Sequence, residues 1–569
     1  MKIKRFDLFF VLFILTVGLF IYKLYDYQIV SSDKYAAQVE SISHRSISLL
    51  PQRGMILDRN GIPLAWDAPY YNIEKRVVFL PDDLKRMIID AFDDKQKAET
   101  LVRNLEMFGS VETSLPAALA ERLNDFPELE VSERVIRYYQ NNPGVAHVVG
   151  YIKADGEPVM GIEKQYNDLL RGTPGEQLIR VDALGRQISL EGERPPVGGK
   201  DLTITIDSQM SKYIYELISE TGKSGAAVVM TTSGEILALV SVPGFENMSF
   251  TRGISNRDWE RLNLDPSRPL VNRALTPFTP GSVIKPFIAM AALAEGKDAT
   301  EQIDCRGSFQ YKDSQGIVQG VYRDWNLYGH GITDLSKAIT VSCNVYFYQL
   351  GLELGIDTIS NYAKIWEVFE PTNIDLPEES TGLMPCPSWK QEKLEENWFP
   401  GDTIQISIGQ GYLSITPLQL AKMTGEIATK GREILPYIGA ERVSGRTVIE
   451  LRESDWSLLT EALRNVISKG GGAAEAGTAY SAFRNFEGTA AGKTGTAEQG
   501  GSKPTHSWFT GFMPLEEPEI VVTVFVHEGG YGSGLASQIS RKIMDYYLQE
   551  YINQNHSSGL TKLSSSPDL

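Results

Sequence analysis

The sequence predicts an α+β protein. It begins with a membrane-spanning helix, continues through a segment of short strands and helical patches, and ends in a half where helices pack on an antiparallel sheet. Three observations predict this. Gly225-Ala-Ala-Val-Val-Met230 and Ile236-Leu-Ala-Leu-Val-Ser241 bracket Thr232-Ser-Gly234, the signal of a hairpin between two apolar strands. Ser507–Phe512 and Ile520–Val526 read as a second pair of neighbouring antiparallel strands. Between the two pairs, Thr279-Pro280-Gly281 leads into the apolar run Pro286–Ala294, a loop turning into a buried helix.

From the N-terminus, residues 1–5 form a basic cytoplasmic tail and residues 6–25 a signal anchor. Leu8 to Tyr22 carries no charge over 15 residues, short of the roughly 20 that a spanning helix needs. Lys4, Arg5 and Lys23 can snorkel, and Tyr22, Tyr25 and Tyr27 suit an interface. A cleaved signal peptide is the alternative, but no A-x-A-like site follows. The basic start places the N-terminus inside and the rest of this single-pass chain outside. Within residues 26–200, Arg59-Asn-Gly-Ile is a turn, Asp82 to Met107 an amphipathic helix and Arg194-Pro-Pro-Val-Gly-Gly199 a linker. Residues 201–553 form the C-terminal domain. It opens on the strand Asp201–Asp207, followed by a helix over Gln209–Thr221. The Ser-rich residues 554–569 read as a disordered tail.

At 569 residues the chain exceeds one ordinary domain. Its net charge of −17 is spread rather than clustered, which excludes nucleic acid as a partner. Three cysteines (Cys305, Cys343 and Cys386) allow at most one bridge and form no disulfide framework.

Three short strings stand in one order: Ser282-Val-Ile-Lys285, Ser342-Cys-Asn344 and Lys493-Thr-Gly495. Each is common by chance, and their order and context carry the signal. On a helix Ser282 and Lys285 share one face. A serine hydroxyl is a poor nucleophile until a base takes its proton, and a desolvated lysine near another cation is neutral enough to do so. Lys493 is the candidate neighbouring cation. Gly495 leaves a strand edge bare for an extended peptide, where Thr494 can hydrogen-bond a terminal carboxylate. The bland alternatives are a capped helix with a solvated lysine, an N-cap serine at Ser342 and a hairpin strand with an exposed lysine.

With these motifs the chain resembles the penicillin-recognising serine transpeptidases. Arg53-Gly-Met-Ile-Leu-Asp-Arg-Asn-Gly-Ile-Pro-Leu-Ala65 and Gly409-Gln-Gly-Tyr-Leu-Ser-Ile-Thr-Pro-Leu-Gln419 are similar to signatures of the class B penicillin-binding proteins. Tyr322-Arg-Asp-Trp325, Gly329-His-Gly331 and Trp398-Phe-Pro-Gly-Asp402 resemble its elongation-type branch, the penicillin-binding protein 2 group. The resemblance implies a pedestal, or dimerisation-type, domain over 26–200 and a serine β-lactamase-like transpeptidase domain over 201–553. It implies that Ser282 attacks the D-Ala–D-Ala amide of a peptidoglycan stem peptide, and that an amine of a second stem resolves the ester during cell elongation. Ser342 would relay a proton, Asn344 would hold the substrate peptide, and the N–H groups of Ser282 and Thr496 would form the oxyanion hole. β-Lactams would acylate Ser282. The implied setting is the inner membrane with the catalytic domain in the periplasm, beside a SEDS-family glycan polymerase and other elongation-complex proteins. Three rivals remain: a serine β-lactamase or β-lactam sensor, a non-catalytic scaffold and activator of the polymerase, and a division-type class B transpeptidase.

Asp324, His330 and Cys343 are spaced 6 and 13 apart, with Asp304 about 20 upstream, and these side-chain types bind zinc. Some members of the elongation branch are similar in carrying an Asp/Asp/His/Cys zinc site here, which implies a structural Zn²⁺. Asp304 and Cys305 compete for the first ligand. The alternative is a buried free cysteine among hydrogen-bonded polar groups.

Overall fold

A computed structural model describes residues 5–35, 44–92, 94–182 and 186–552. The tail expected over 554–569 and most of the basic start lie outside the described residues. The chain divides into two compact units.

The first unit comprises Met1–Gly54 and Asp168–Asp201. Its helix Arg5–Tyr25 runs on as a wider turn over Asp26–Val30. Together they give a candidate span of 23 residues, Leu8–Val30. That is longer than the uncharged stretch, because the helix continues through Lys23 and Asp26. An antiparallel sheet orders His44–Leu49, Gly175–Val181 and Gln187–Arg194. The Pro/Gly stretch expected as a linker is held in place: Thr173 and Val197 exchange backbone hydrogen bonds at 2.8 and 2.9 Å.

The second unit joins Met55–Asn167 to Leu202–Leu569. Residues 55–167, expected in the pedestal, therefore share one compact body with the C-terminal half. The stitching is local. Leu202–Thr203 pairs in parallel with Ile56–Leu57. The expected strand over 201–207 shortens to those two residues, because Asp207 turns to cap the helix Ser208–Ser219. Asp58, fully buried, accepts from the N–H groups of Asn60 and Ile62 at 2.8 Å and from Ser208 Oγ at 2.7 Å. One carboxylate thus shapes the Arg59-Asn-Gly turn and ties it to a catalytic-half helix. The long strands Pro63–Lys75 and Leu129–Tyr139 pair in antiparallel fashion and carry a core of Tyr71, Ile73, Leu84, Ile88, Leu101 and Leu105. The single helix expected from Asp82 to Met107 is two, Asp82–Asp90 and Lys95–Phe108. Asp94 caps the second, accepting from Lys97 N at 3.0 Å, and charge patterning alone does not mark such a restart.

The C-terminal sheet has five strands among the described residues: β1 (Gly225–Thr231), β2 (Ile236–Val242), β3 (Ala491–Ala497), β4 (His506–Met513) and β5 (Ile520–Val526), in the order β2-β1-β5-β4-β3. Every neighbouring pair in it is antiparallel. Strands β2, β4 and β5 are buried at every position, as expected of a sheet covered on both faces. Helices Pro417–Ala428 and Leu535–Tyr547 pack on it. β3 is an edge strand, and among the described residues no strand pairs with its outer side.

Candidate active site

The nucleophile turn is shaped by close backbone approach. Gly281 adopts a positive φ of 60°, and a Cβ there would stand 2.4 Å from Thr496 O. Its N–H donates to Gly409 O at 2.9 Å. Ser282 follows on a short 3₁₀ turn, Gly281–Ile284, half-buried; α1 (Lys285–Ala294) begins directly after it. Pro286 falls in the first turn of α1, where its missing N–H costs nothing.

Lys285 is fully buried. Its Nζ donates to Ser342 O at 2.8 Å, Asn344 Oδ1 at 2.7 Å and Ser342 Oγ at 3.3 Å. Three uncharged acceptors replace water without supplying a counter-ion. Burial therefore pushes its pKa down to about 8, with Asp324 and Cys343 pulling weakly the other way. Ser342 reaches Nζ with both its oxygens because it sits at φ 57°, a left-handed backbone rare outside glycine. Asn344 opens α2 (Asn344–Ile365).

Lys493 on β3 is also buried, and its Nζ donates to Thr494 O at 3.0 Å. Burial, and then the charge of Lys285, hold Lys493 well below the usual lysine range. Lys493 therefore gives up its proton more readily than a solvated lysine does. Thr494 Oγ1 shares a hydrogen bond with Thr478 at 2.6 Å, a partner no motif flagged.

Gly495 does more than bare an edge. A Cβ there would stand 2.8 Å from Pro280 O and from Val283 Cγ1, so only glycine lets β3 lie against the nucleophile turn. In an antiparallel strand a residue's N–H and C=O point to the same side. Thr496 O meets Gly281 and Gln410 Nε2 (3.3 Å), so the Thr496 N–H faces the same outer side, beside Ser282. Gln410 is a site residue that sequence reasoning passed over; its place in Gly409-Gln-Gly411 was the available signal.

The predicted metal ligands converge with one substitution. Cys305, Asp324, His330 and Cys343 are all buried, and their ligand atoms lie within 4.8 Å of one another. Asp304 is not among them. On the strand Ile303–Cys305 successive side chains point to opposite faces, so Cys305 faces inward while Asp304 faces solvent and pairs with Arg306 at 2.6 Å. Cys305 Sγ is 3.6 Å from His330 Nδ1 and 3.8 Å from Asp324 Oδ2, and Cys343 Sγ is 3.4 Å from Asp324 Oδ2. A tetrahedron with Zn–S and Zn–N/O bonds of about 2.0–2.3 Å has edges of about 3.3–3.8 Å, so the donor set fits zinc. His330 Nε2 is buried, with no hydrogen-bond partner among the described residues. Asp324 also receives the N–H groups of Asn344 (2.8 Å) and Val345 (3.0 Å), fixing the start of α2 next to Ser342.

A family profile described as the penicillin binding protein transpeptidase domain matches residues 225–545, and one described as the penicillin-binding protein dimerisation domain matches 48–204. The chain is 31% identical to the peptidoglycan D,D-transpeptidase MrdA of Haemophilus influenzae, over 95% of this chain and 91% of that one. It is similar to penicillin-binding protein 2 of Helicobacter pylori, solved in complex with MreC, at 29% identity and a TM-score of 0.72, covering 89% of this chain and all of that one. A chain solved in work described as "Structural coordination of polymerization and crosslinking by a peptidoglycan synthase complex" is 27% identical, with a TM-score of 0.72 over 96% of this chain and 98% of that one.

Proposed function

The chain belongs to the penicillin-binding proteins that pair a dimerisation with a transpeptidase domain, and from that membership we propose that it cross-links peptidoglycan through an acyl-enzyme on Ser282. It is a peptidoglycan D,D-transpeptidase of the elongation type. The observation that carries the residue roles is Lys285, buried with three uncharged acceptors and held at about 8.

Neutral Lys285 takes the Ser282 proton as Oγ attacks the penultimate D-Ala carbonyl of a donor stem peptide. The N–H groups of Ser282 and Thr496 receive the oxyanion, each such donor worth about 3 kcal/mol. Ser342, within reach of Lys285 Nζ, passes the proton to the departing D-Ala amine, and Asn344 orients the substrate amide. Thr494 and Lys493 hold the terminal carboxylate, which supplies the anion that buried Lys493 lacks. The extended stem lies along the outer edge of β3. A side-chain amine of a second stem then attacks the ester, releasing Ser282 and forming the cross-link.

Cys305, Asp324, His330 and Cys343 would hold a zinc ion. When bound, it would serve as a structural ion with four protein ligands and no open position. Cys343 lies between Ser342 and Asn344, so those ligands would brace the relay segment.

The span Leu8–Val30 anchors the chain in the inner membrane, with the catalytic half in the periplasm. The pedestal half serves the elongation complex and its SEDS-type polymerase, a reading supported by the solved assemblies of similar chains. Intact mass after benzylpenicillin treatment, followed by peptide mapping, tests the proposal. One adduct on the Ser282 peptide, lost in Ser282→Ala, is expected; an adduct elsewhere or none overturns it. A pure scaffold would still support growth as Ser282→Ala.

A further inference from the structure

Two peptide groups must be held at the right separation for the oxyanion to meet both donors. Ser282 N–H and Gly281 C=O belong to one peptide unit. Gly409 lies against that carbonyl so closely that a Cβ on it would stand 2.0 Å from Gly281 O, and Gly409 O receives Gly281 N–H at 2.9 Å. The next residue reaches the carbonyl of the residue that carries the other donor: half-buried Gln410 donates from Nε2 to Thr496 O at 3.3 Å, while its own N–H donates to Gln405 O at 2.9 Å. Among the described residues no strand pairs with the outer side of β3 to hold its C-terminal end. Gly532 N–H fastens the Thr496 side chain at 3.0 Å, and Gln410 fastens the Thr496 carbonyl. One loop, Gly409–Gln410, therefore bears on the peptide that carries one donor and on the peptide adjoining the other.

We propose that Gln410 is a positioning residue for acylation: its side-chain amide fixes the Thr496 peptide against the nucleophile turn and so sets the gap between the two N–H groups of the oxyanion hole. The proposal rests on Ser282 being the acylated residue. Such a hole works when its donors sit about 2.7–3.1 Å from the oxyanion, so loosening one side acts on the transition state and leaves ground-state binding largely intact.

The test uses the full chain in detergent, with Gln410→Ala and the isosteric Gln410→Glu, which puts a carboxylate oxygen where the donor was. Benzylpenicillin gives the pre-covalent binding constant and the acylation rate constant separately. An arylboronic acid reports affinity for a tetrahedral adduct, and infrared difference spectra report the acyl carbonyl stretch. We expect the acylation rate constant to fall about 10- to 100-fold. Boronate affinity should fall by a like factor, the stretch should move to higher wavenumber, and pre-covalent binding should stay near wild type. A wild-type rate constant and stretch in Gln410→Ala would overturn the proposal. So would a loss confined to pre-covalent binding, or one that tracked a lowered Tm while the remaining acyl-enzyme kept its wild-type stretch. If the wild-type protein itself takes no label at Ser282, it is the acyl-enzyme reading that fails.

Discussion

Lys285 meets its three acceptors without a carboxylate among them, and the pH dependence of the enzyme follows. Only the neutral amine can take a proton. With a pKa of about 8 in the unliganded protein, the second-order acylation constant, acylation rate over pre-covalent binding constant, should rise as pH increases through 8 and level off above it, as stopped-flow measurements with a chromogenic cephalosporin would record. Lys285→Arg, which stays protonated, should lower the rate at least 100-fold at all pH values. Lys493 titrates in the opposite sense on binding. Its ammonium is disfavoured while buried without an anion, and a substrate carboxylate restores it. Binding should therefore take up protons at pH values above its depressed pKa. Calorimetry in buffers of different ionisation enthalpy, with Ser282→Ala to block chemistry, measures that uptake, which should vanish in Lys493→Ala. At this scale the three motifs were legible because each names side chains by fixed spacing. Gln410 and Thr478 were not, because each acts through one contact with β3 that no local spacing encodes.

Among the elements, β3 and the strand Ile303–Cys305 show how backbone geometry decides what a residue can do. Gly495→Ala puts a methyl 2.8 Å from Pro280 O, so β3 must draw back from the nucleophile turn. We expect acylation to fall at least 10-fold with Tm lowered by only a few degrees, read from label incorporation and calorimetry. Strand alternation likewise separates the two candidate ligands. Elemental analysis should find about one zinc per chain in wild type and in Asp304→Ala, and little in Cys305→Ser. The sequence left Asp304 and Cys305 in competition because adjacent residues have nearly the same spacing to His330; only the pleat tells them apart. The paired strands β1–β2 and β4–β5 were legible from apolar runs and turn residues. The break between Asp82–Asp90 and Lys95–Phe108 was not, since the amphipathic pattern runs across it and the cap at Asp94 is a single side chain.

In the molecule as a whole, Met55–Ala65 is built into the second compact unit through Asp58. Removing a buried acceptor with three close partners leaves their donors unsatisfied, at about 1–3 kcal/mol each where water cannot reach. Asp58→Ala should therefore lower Tm by several degrees and slow acylation far less than Gly495→Ala does, as paired thermal melts and labelling would show. That a dimerisation-domain match gives way to a transpeptidase-domain match after residue 204 was legible from the Pro/Gly stretch just before it. The sharing of 55–167 with the catalytic half was not, because it depends on a two-residue parallel pairing and one buried carboxylate too small to leave a pattern.

The vacant flank of β3 has a further consequence. Thr494 O already receives Lys493 and Thr496 O receives Gln410, but each carbonyl keeps a second lone pair and the outward amide hydrogens face an incoming extended chain, so the groove should reward length as well as a D,D terminus. Reversible peptide ligands that lengthen toward the N-terminus should tighten residue by residue, and replacing one inward amide by an ester should forfeit that gain. A compact antibiotic that engages only the serine end would leave most of this recognition unused.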